Sequence, residues 1–219
     1  MQNLNLIKNK IKEIINRKQL KTYPEIIAVS KTFDMVKIMP LIESGHLHFG
    51  ENKIQEAENK WSDIKEQHKD LQLHMVGKLQ SNKAKKAVKL FDYIHSLDSS
   101  KLAAKLNQYE KELNKKTKIF IQVNVAEEDQ KSGVSLNALN DFYNYCVKDL
   151  SLKVIGLMTL PPLEEDPIKY FKLLKNSAEK LNLNELSIGM SGDYEKALDN
   201  NSTFIRLGTA IFGSRKLIN

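Results

Sequence analysis

Apolar positions along this chain alternate between two periods. Ile7, Ile11, Ile14 and Ile15 recur at helical spacing and predict an amphipathic N-terminal helix. A short run, Ile26-Ile27-Ala28-Val29, follows Pro24, precedes a polar turn, and reads as a buried strand. The same unit then recurs. Further strands are predicted at 46–49, 73–76, 93–96, 118–123, 153–157, 185–188 and 203–207. Helices are predicted near 34–44, 51–67, 81–91, 100–114, 135–149, 167–182 and 193–200, with a short helical turn at 209–213. Strands alternating with helices predict parallel βαβ units. Eight such units in about 200 residues match the lower size limit of a (β/α)₈ TIM barrel. The expectation is one domain spanning 1–219, a TIM barrel with an extra N-terminal helix. A doubly wound open sheet is the competing architecture. Its nucleotide site would call for a Gly-rich first turn, where this chain has Ser30-Lys31-Thr32. Pro40 predicts a kink or late start in the helix after the first strand. Pro161-Pro162 predicts a stiff loop.

Composition narrows the class. Hydrophobic content is 41% over 219 residues, as in a soluble globular protein. A single cysteine, Cys146, excludes an internal disulfide, fits a reducing compartment, and reads as core. The first residues lack the apolar run of a signal peptide, and no stretch approaches the roughly 18 apolar residues of a membrane span. Cytoplasm is expected, with no membrane association. The net charge of +7 comes almost wholly from lysine, most densely Lys78, Lys83, Lys85, Lys86 and Lys89. Yet lysines are spread along the whole chain and interleaved with glutamates, and no aromatic residues interleave with the cluster as a stacking platform requires. The cluster reads as a solvated helix face, a site for anionic ligands, including a phosphate, is the other reading, and no nucleic-acid partner is expected.

In a TIM barrel the site forms where strands end, and phosphate is often held by the loops after strands seven and eight. Those two loops are Gly189-Met190-Ser191-Gly192 and Gly208-Thr209-Ala210. Small residues let backbone N–H groups approach an anion, Ser191 adds a hydroxyl, and Gly208-Thr209 opens a short helix whose N-terminus favours negative charge. The same residues also simply make turns. Lys31 follows directly on an apolar strand, and parity puts it on the side of Val29 and Ile27. A lysine in a desolvated mouth has a lowered pKa and attacks aldehydes; a surface lysine at a strand end is the other reading. Arg206 ends strand eight, either as a structural ion pair or as a ligand for phosphate or a ring nitrogen. His74 and His95 end neighbouring strands and can line the pocket, His95 more simply as packing. His46 and His48 lack a carboxylate or cysteine to complete a metal site, and no metal is expected. Glu51-Asn52 can serve as a helix cap.

Taken in order, these residues resemble the pyridoxal phosphate homeostasis proteins, the YggS/PROSC type. The motifs are Ala28-Val29-Ser30-Lys31-Thr32, Phe49-Gly50-Glu51-Asn52 with Gln55-Glu56, Gly77 with Leu79-Gln80-Ser81-Asn82-Lys83, and His95-Ser96. They continue through Gln122-Val123-Asn124, Lys131-Ser132-Gly133, Gly156-Leu157-Met158, Gly189-Met190-Ser191 and Arg206-Leu207-Gly208-Thr209-Ala210-Ile211-Phe212-Gly213. The resemblance implies a barrel like the N-terminal domain of alanine racemase and pyridoxal 5′-phosphate (PLP) held as a Schiff base on Lys31. It implies Asn52 near the ring, Arg206 facing the pyridine nitrogen, and Ser191, Gly208 and Thr209 on the phosphate. His74 completes the expected cofactor-binding set. Leu73 stands where the family often has an aromatic residue, and Pro40 is a second departure.

A PLP carrier without turnover is expected rather than an enzyme. The chain ends at Asn219, just after the predicted barrel, and none of its seven tyrosines follows the barrel, where a racemase places a catalytic tyrosine. An arginine at the pyridine nitrogen also keeps it unprotonated, which makes the ring a poor electron sink. The expected role is to bind, buffer and deliver PLP to apo PLP-dependent enzymes, as a monomer. The alternatives are a weak amino-acid racemase or other PLP enzyme, a Schiff-base aldolase acting through Lys31 on a sugar phosphate, and, more remotely, a nucleic-acid binder. Lys131, flanked by Glu127, Glu128, Asp129 and Gly133 in an expectedly solvated, mobile loop, is a candidate relay for PLP or an ordinary surface charge.

Overall fold

The computed structural model describes residues 2–128 and 130–214. Met1, Asp129 and the segment 215–219 lie outside the described residues. Eight parallel strands close into one barrel in sequence order. They are β1 (Glu25–Val29), β2 (His48–Glu51), β3 (Gln72–Met75), β4 (Tyr93–Leu97), β5 (Lys118–Gln122), β6 (Val154–Met158), β7 (Glu185–Met190) and β8 (Phe204–Leu207). The helices are α1 (Gln2–Lys18), α2 (Met35–Glu43), α3 (Ile54–Gln67), α4 (Ala84–Leu90), α5 (Ser100–Glu112), α6 (Leu139–Asn144), α7 (Ile168–Lys180), α8 (Tyr194–Leu198) and α9 (Thr209–Phe212). The open-sheet alternative is excluded by the β1–β8 ladder, which pairs Ile27 with Arg206 and Ala28 with Leu207.

Strand parity sorts the core into two shells. Ile27, Val29, Tyr93, Phe120, Met158 and Phe204 point into the barrel and pack together. The opposite faces, including Ala28, Phe49 and Ile205, meet the apolar stripes of the helices. α1 adds Leu4, Ile7, Ile11 and Ile14 to that outer shell, and Asn3 Nδ2 donates to Ile211 O at 3.1 Å, tying α1 to α9. Cys146 is buried as expected, in a π-turn (Tyr145–Asp149) that closes the helix predicted at 135–149.

Several placements differ from the pattern. β2 runs to Glu51, two residues past the predicted end, because Glu51 pairs with Met75 in the ladder and is fully buried. It is therefore a strand residue, and α3 starts later without a side-chain cap. α2 runs through Pro40 from Met35. The ring removes one backbone donor, which leaves the carbonyl four residues earlier to other partners. That carbonyl belongs to Val36, 84% exposed, so water can take the place of the lost bond. β7 extends to Met190, so the seventh loop starts two residues later than predicted. The basic cluster forms ion pairs on the outside of the barrel: Lys86 lies 2.7 Å from Glu58, and Lys85 pairs with Glu112. Among the described residues no helix is long and apolar enough to cross a membrane.

If α1 is an integral part of the core, Ile11→Ala should lower the free energy of unfolding by about 2–5 kcal/mol. Leu6→Ala, on the exposed face of the same helix, should stay within about 0.5 kcal/mol of the parent. Urea denaturation followed by circular dichroism measures both.

Candidate active-site mouth and its interior support

The turn carrying Lys31 is held from both sides. β1 ends at Val29, so the parity that placed Lys31 with Ile27 and Val29 does not extend to it; Lys31 sits half-buried in the following turn. Ser30 points outward and is buried, its Oγ donating to Glu51 Oε1 at 2.7 Å. The same carboxylate oxygen accepts from Trp61 Nε1 at 3.0 Å and pairs with Lys60 Nζ at 2.7 Å. Lys60 Nζ also donates to Ser30 O at 2.9 Å and Phe33 O at 3.3 Å, and pairs with Glu56 Oε1 at 2.9 Å. Glu56 accepts the Thr32 N–H. Residues 30, 32 and 33 are thus all tied to α3 or the end of β2, and Thr32 adopts a positive φ of 66°. Glu51, which read with Asn52 as a possible cap, forms this clamp together with Glu56 and Lys60 instead.

Across the closing ladder, the loops after β7 and β8 meet. Ser191 Oγ accepts the Ala210 N–H at 3.2 Å, joining the seventh loop to the first turn of α9. Gly189 has a structural cause: its φ is +93°, and a Cβ there would lie 2.7 Å from Ala197 Cβ. Arg206 is 5% exposed. Its Nη1 donates to Ser187 O and Ser187 Oγ, both at 2.6 Å, and its Nη2 to Thr159 O at 2.9 Å. Burial pushes its pKa down to about 10, partly offset by Asp193. Among the described residues it has no carboxylate within ion-pair distance, which leaves a buried cation held by neutral groups and suited to an anionic or electron-rich ligand.

Two further expected residues fall differently. Asn52 packs against Gly77, where a Cβ would lie 2.7 Å from Asn52 Cβ. Its Oδ1 is buried without a hydrogen-bond partner among the described residues. It borders a cleft of about 240 Å³ with Gln55, Lys78, Lys83 and Lys86. A separate cavity of about 430 Å³ is lined by Val76, Gln122, Asn124, Lys131, Ser132 and Met190. Met190 is the ladder partner of Arg206, which sets this cavity beside the β7–β8 loops. The loop of Lys131 is less free than expected: Gln122 Nε2 donates to Ser132 O at 3.0 Å, Asn124 N to Val134 O at 2.9 Å, and Lys131 pairs with Glu128 at 2.5 Å.

His74 does not reach the mouth. It lies within β3 and is fully buried, with Nε2 2.9 Å from His48 Nδ1 and Nδ1 2.9 Å from His95 Nε2. Both ring nitrogens are occupied, so a contact with a ligand at the mouth would break one of these bonds. His95 Nδ1 continues to Ser187 Oγ at 2.8 Å, the hydroxyl that Arg206 also contacts. Burial holds both imidazoles well below the usual histidine range.

The family model for the alanine racemase N-terminal domain matches residues 2–216. The pyridoxal phosphate homeostasis protein of Synechocystis sp. is 37% identical over 199 residues, covering 87% of this chain and 91% of that protein. The one from Escherichia coli K12 is 33% identical over 199 residues, covering 87% and 85%. This chain belongs to the pyridoxal phosphate homeostasis protein family. Among solved structures of similar fold, PipY of Synechococcus elongatus PCC7942 with PLP bound has a TM-score of 0.81 at 35% identity, covering 93% of this chain and 100% of that one. Alanine racemase of Clostridium difficile 630 has a TM-score of 0.72 at 14% identity, covering 100% of this chain and 58% of that one, a likeness of fold.

Within this family member, the clamp on the Lys31 turn should be separable from its individual charges. Lys60→Met leaves the Glu51 carboxylate buried and unpaired, and should lower stability by about 3–5 kcal/mol. Adding Glu51→Leu should recover most of that loss, as chemical denaturation of the single and double variants will show.

The buried imidazoles also set a pH dependence. Burial pushes His46 down to about 4, and His74 and His95 are lowered as well. The unfolded chain takes up these protons near the ordinary value of about 6.5, so below that pH it binds more protons than the folded chain. The stability these groups confer is complete above about pH 6.5 and is lost as pH falls towards 4, where His46 titrates in the folded state. Urea midpoints should therefore fall across this window, and His46→Gln should make the slope shallower.

Proposed function

We propose that this chain, as a single domain, binds PLP on Lys31 and acts in intracellular PLP homeostasis by binding, buffering and delivering the cofactor, without catalytic turnover. The observation that carries this reading is the convergence at one lip of the barrel. Ser191 and the start of α9 meet there beside a buried guanidinium that lacks a carboxylate. The clamped Lys31 turn follows the strand that pairs with β8.

The residues fit the group. Lys31 supplies the amine that bonds to the cofactor aldehyde. Ser191, Gly208 and Thr209 face its phosphate. Arg206 is a donor only, so it favours an unprotonated ring nitrogen and works against carbanion chemistry. The orphaned Asn52 Oδ1 gives a buried acceptor near the same rim. When bound, PLP supplies an electrophilic aldehyde and a phosphate anchor. Lys131, lining the cavity beside Met190, is the amine we assign to hand-over. The proposed setting is the cytoplasm, the proposed state a monomer, and the proposed recipients apo PLP-dependent enzymes. The racemase alternative is not favoured, since the relatives are named for homeostasis.

The protein should purify yellow or turn yellow with added PLP. Borohydride treatment and peptide mapping should place the label on Lys31. Ser191→Ala and Thr209→Ala should each weaken retention about ten- to a hundred-fold, the loss of one charge-assisted hydrogen bond. Lys131→Ala should slow transfer to an apo-enzyme with retention unchanged. A colourless protein that refuses PLP, or alanine racemisation well above a Lys31→Ala control, would overturn the reading.

A further inference from the structure

Interior positions of a (β/α)₈ barrel are usually filled by bulky branched side chains. Here three successive strands instead place histidines inside it: His48 on β2, His74 on β3 and His95 on β4. Their nitrogens form a continuous line. Arg206 Nη1 lies 2.6 Å from Ser187 Oγ, Ser187 Oγ 2.8 Å from His95 Nδ1, His95 Nε2 2.9 Å from His74 Nδ1, and His74 Nε2 2.9 Å from His48 Nδ1. His48 Nε2 ends the line 3.5 Å from Glu25 Oε2. Glu25 opens β1 and borders a cavity of about 630 Å³ that His48, Tyr93, Lys118 and Phe204 also line at the lower end of the barrel.

The guanidinium sets the direction of every bond in this line. It has donors only, so Ser187 Oγ must accept from it. Among the described residues the only acceptor left for the Ser187 hydrogen is His95 Nδ1. His95 is neutral through burial, so its proton sits on Nε2 and points at His74 Nδ1. The same step repeats, leaving a proton on His74 Nε2 and then on His48 Nε2, facing Glu25. Stacking fixes the ring planes: His74 lies on Tyr93 at 4.2 Å and 14°, and His95 on Phe120 at 4.3 Å and 15°. Neither ring can tilt without losing its stack, nor flip within its plane without losing its two hydrogen bonds. Ser187 and the carbonyl of Thr159 alone would satisfy the committed guanidinium hydrogens, so the histidines do more than fill the hydrogen-bonding needs of Arg206.

We propose that His95 and His74 are positioning residues for Arg206, and that with Ser187 and His48 they form a hydrogen-bonded chain of single sense through the barrel. The chain keeps the Ser187 hydrogen turned away from the guanidinium. Nη1 is then pinned on Ser187, and the uncommitted donors of Arg206 are aimed at the cofactor. This inference rests on the reading that Arg206 meets PLP.

Two measurements test it separately from that reading. The first is ¹⁵N NMR of the histidine rings in the cofactor-free protein at neutral pH. His48, His74 and His95 should each carry the proton on Nε2 with Nδ1 bare. Ser187→Ala should abolish that uniform pattern. A wild-type His74 or His95 protonated on Nδ1 overturns the chain whether or not PLP binds. The second compares PLP affinity and the visible absorption maximum in wild type, His95→Phe, His48→Leu and His48→Gln, each checked for fold by circular dichroism. His95→Phe should weaken PLP about ten-fold and shift the band. His48→Leu, which strands the His74 Nε2–H, should do so less. His48→Gln, whose carboxamide accepts from His74 and donates to Glu25, should restore both. Folded variants that lose thermal stability while affinity and band stay at wild-type values would make the histidines structural only. If wild type fails to bind PLP, the cofactor reading falls, and the ring tautomers alone decide the chain.

Discussion

Closure of the strand ladder is the constraint from which the site follows. The pairing of Glu25, Ile26, Ile27 and Ala28 with Phe204, Ile205, Arg206 and Leu207 joins the first strand to the last. It removes both sheet edges at once. It also brings the turn after β1 and the loop after β8 to one lip, although they come from opposite ends of the chain. Without that ladder Lys31 and Gly208 would have no reason to be neighbours. With it, Gly208 lies against Val29, whose carbonyl oxygen would be 3.5 Å from a Cβ at Gly208.

Closure also creates a lumen, and the contents of that lumen separate this barrel from one built only for stability. A guanidinium placed inside must be satisfied without water, and here a serine and two carbonyls do so. The aromatic rings around it do two tasks. Tyr93, Phe120 and Phe204 supply the apolar bulk that the interior needs. Tyr93 and Phe120 also stack on the faces of His74 and His95, which leaves the ring edges, with their nitrogens, to meet one another. A buried polar network is tolerable when every member has its partner, and in this line every ring nitrogen does.

Much of the architecture was legible because period-two and period-3.6 patterns alternate cleanly, and parity correctly sent Ile27 and Val29 inward. Glu51 was misread because a charged residue after a strand resembles a helix cap, whereas its burial depends on Lys60 and Trp61, two partners on the next helix. His74 was assigned to the mouth because strand ends are where ligands sit, but Met75 still follows it in β3 and both its ring nitrogens are bonded to histidines inside the barrel. The line His48, His74, His95 and Ser187 was missed as a line. Nothing local links these residues, since the contacts run across the sheet. A signal was present: each histidine shares the inward parity of its strand, as Gly50 and Tyr93 show, and in a closed barrel inward positions on adjacent strands are neighbours.

Cys146 is the chain's one thiol. It is wholly enclosed, and burial pushes its pKa up to about 12. The thiolate is the reactive form, so in the native fold this sulfur is shielded twice, by steric enclosure and by protonation. Any alkylation of the molecule must then pass through an opening that releases the segment between α6 and β6. Because there is no second thiol to confuse the signal, the rate of labelling at this one atom acts as a clock for how often that side of the barrel comes apart.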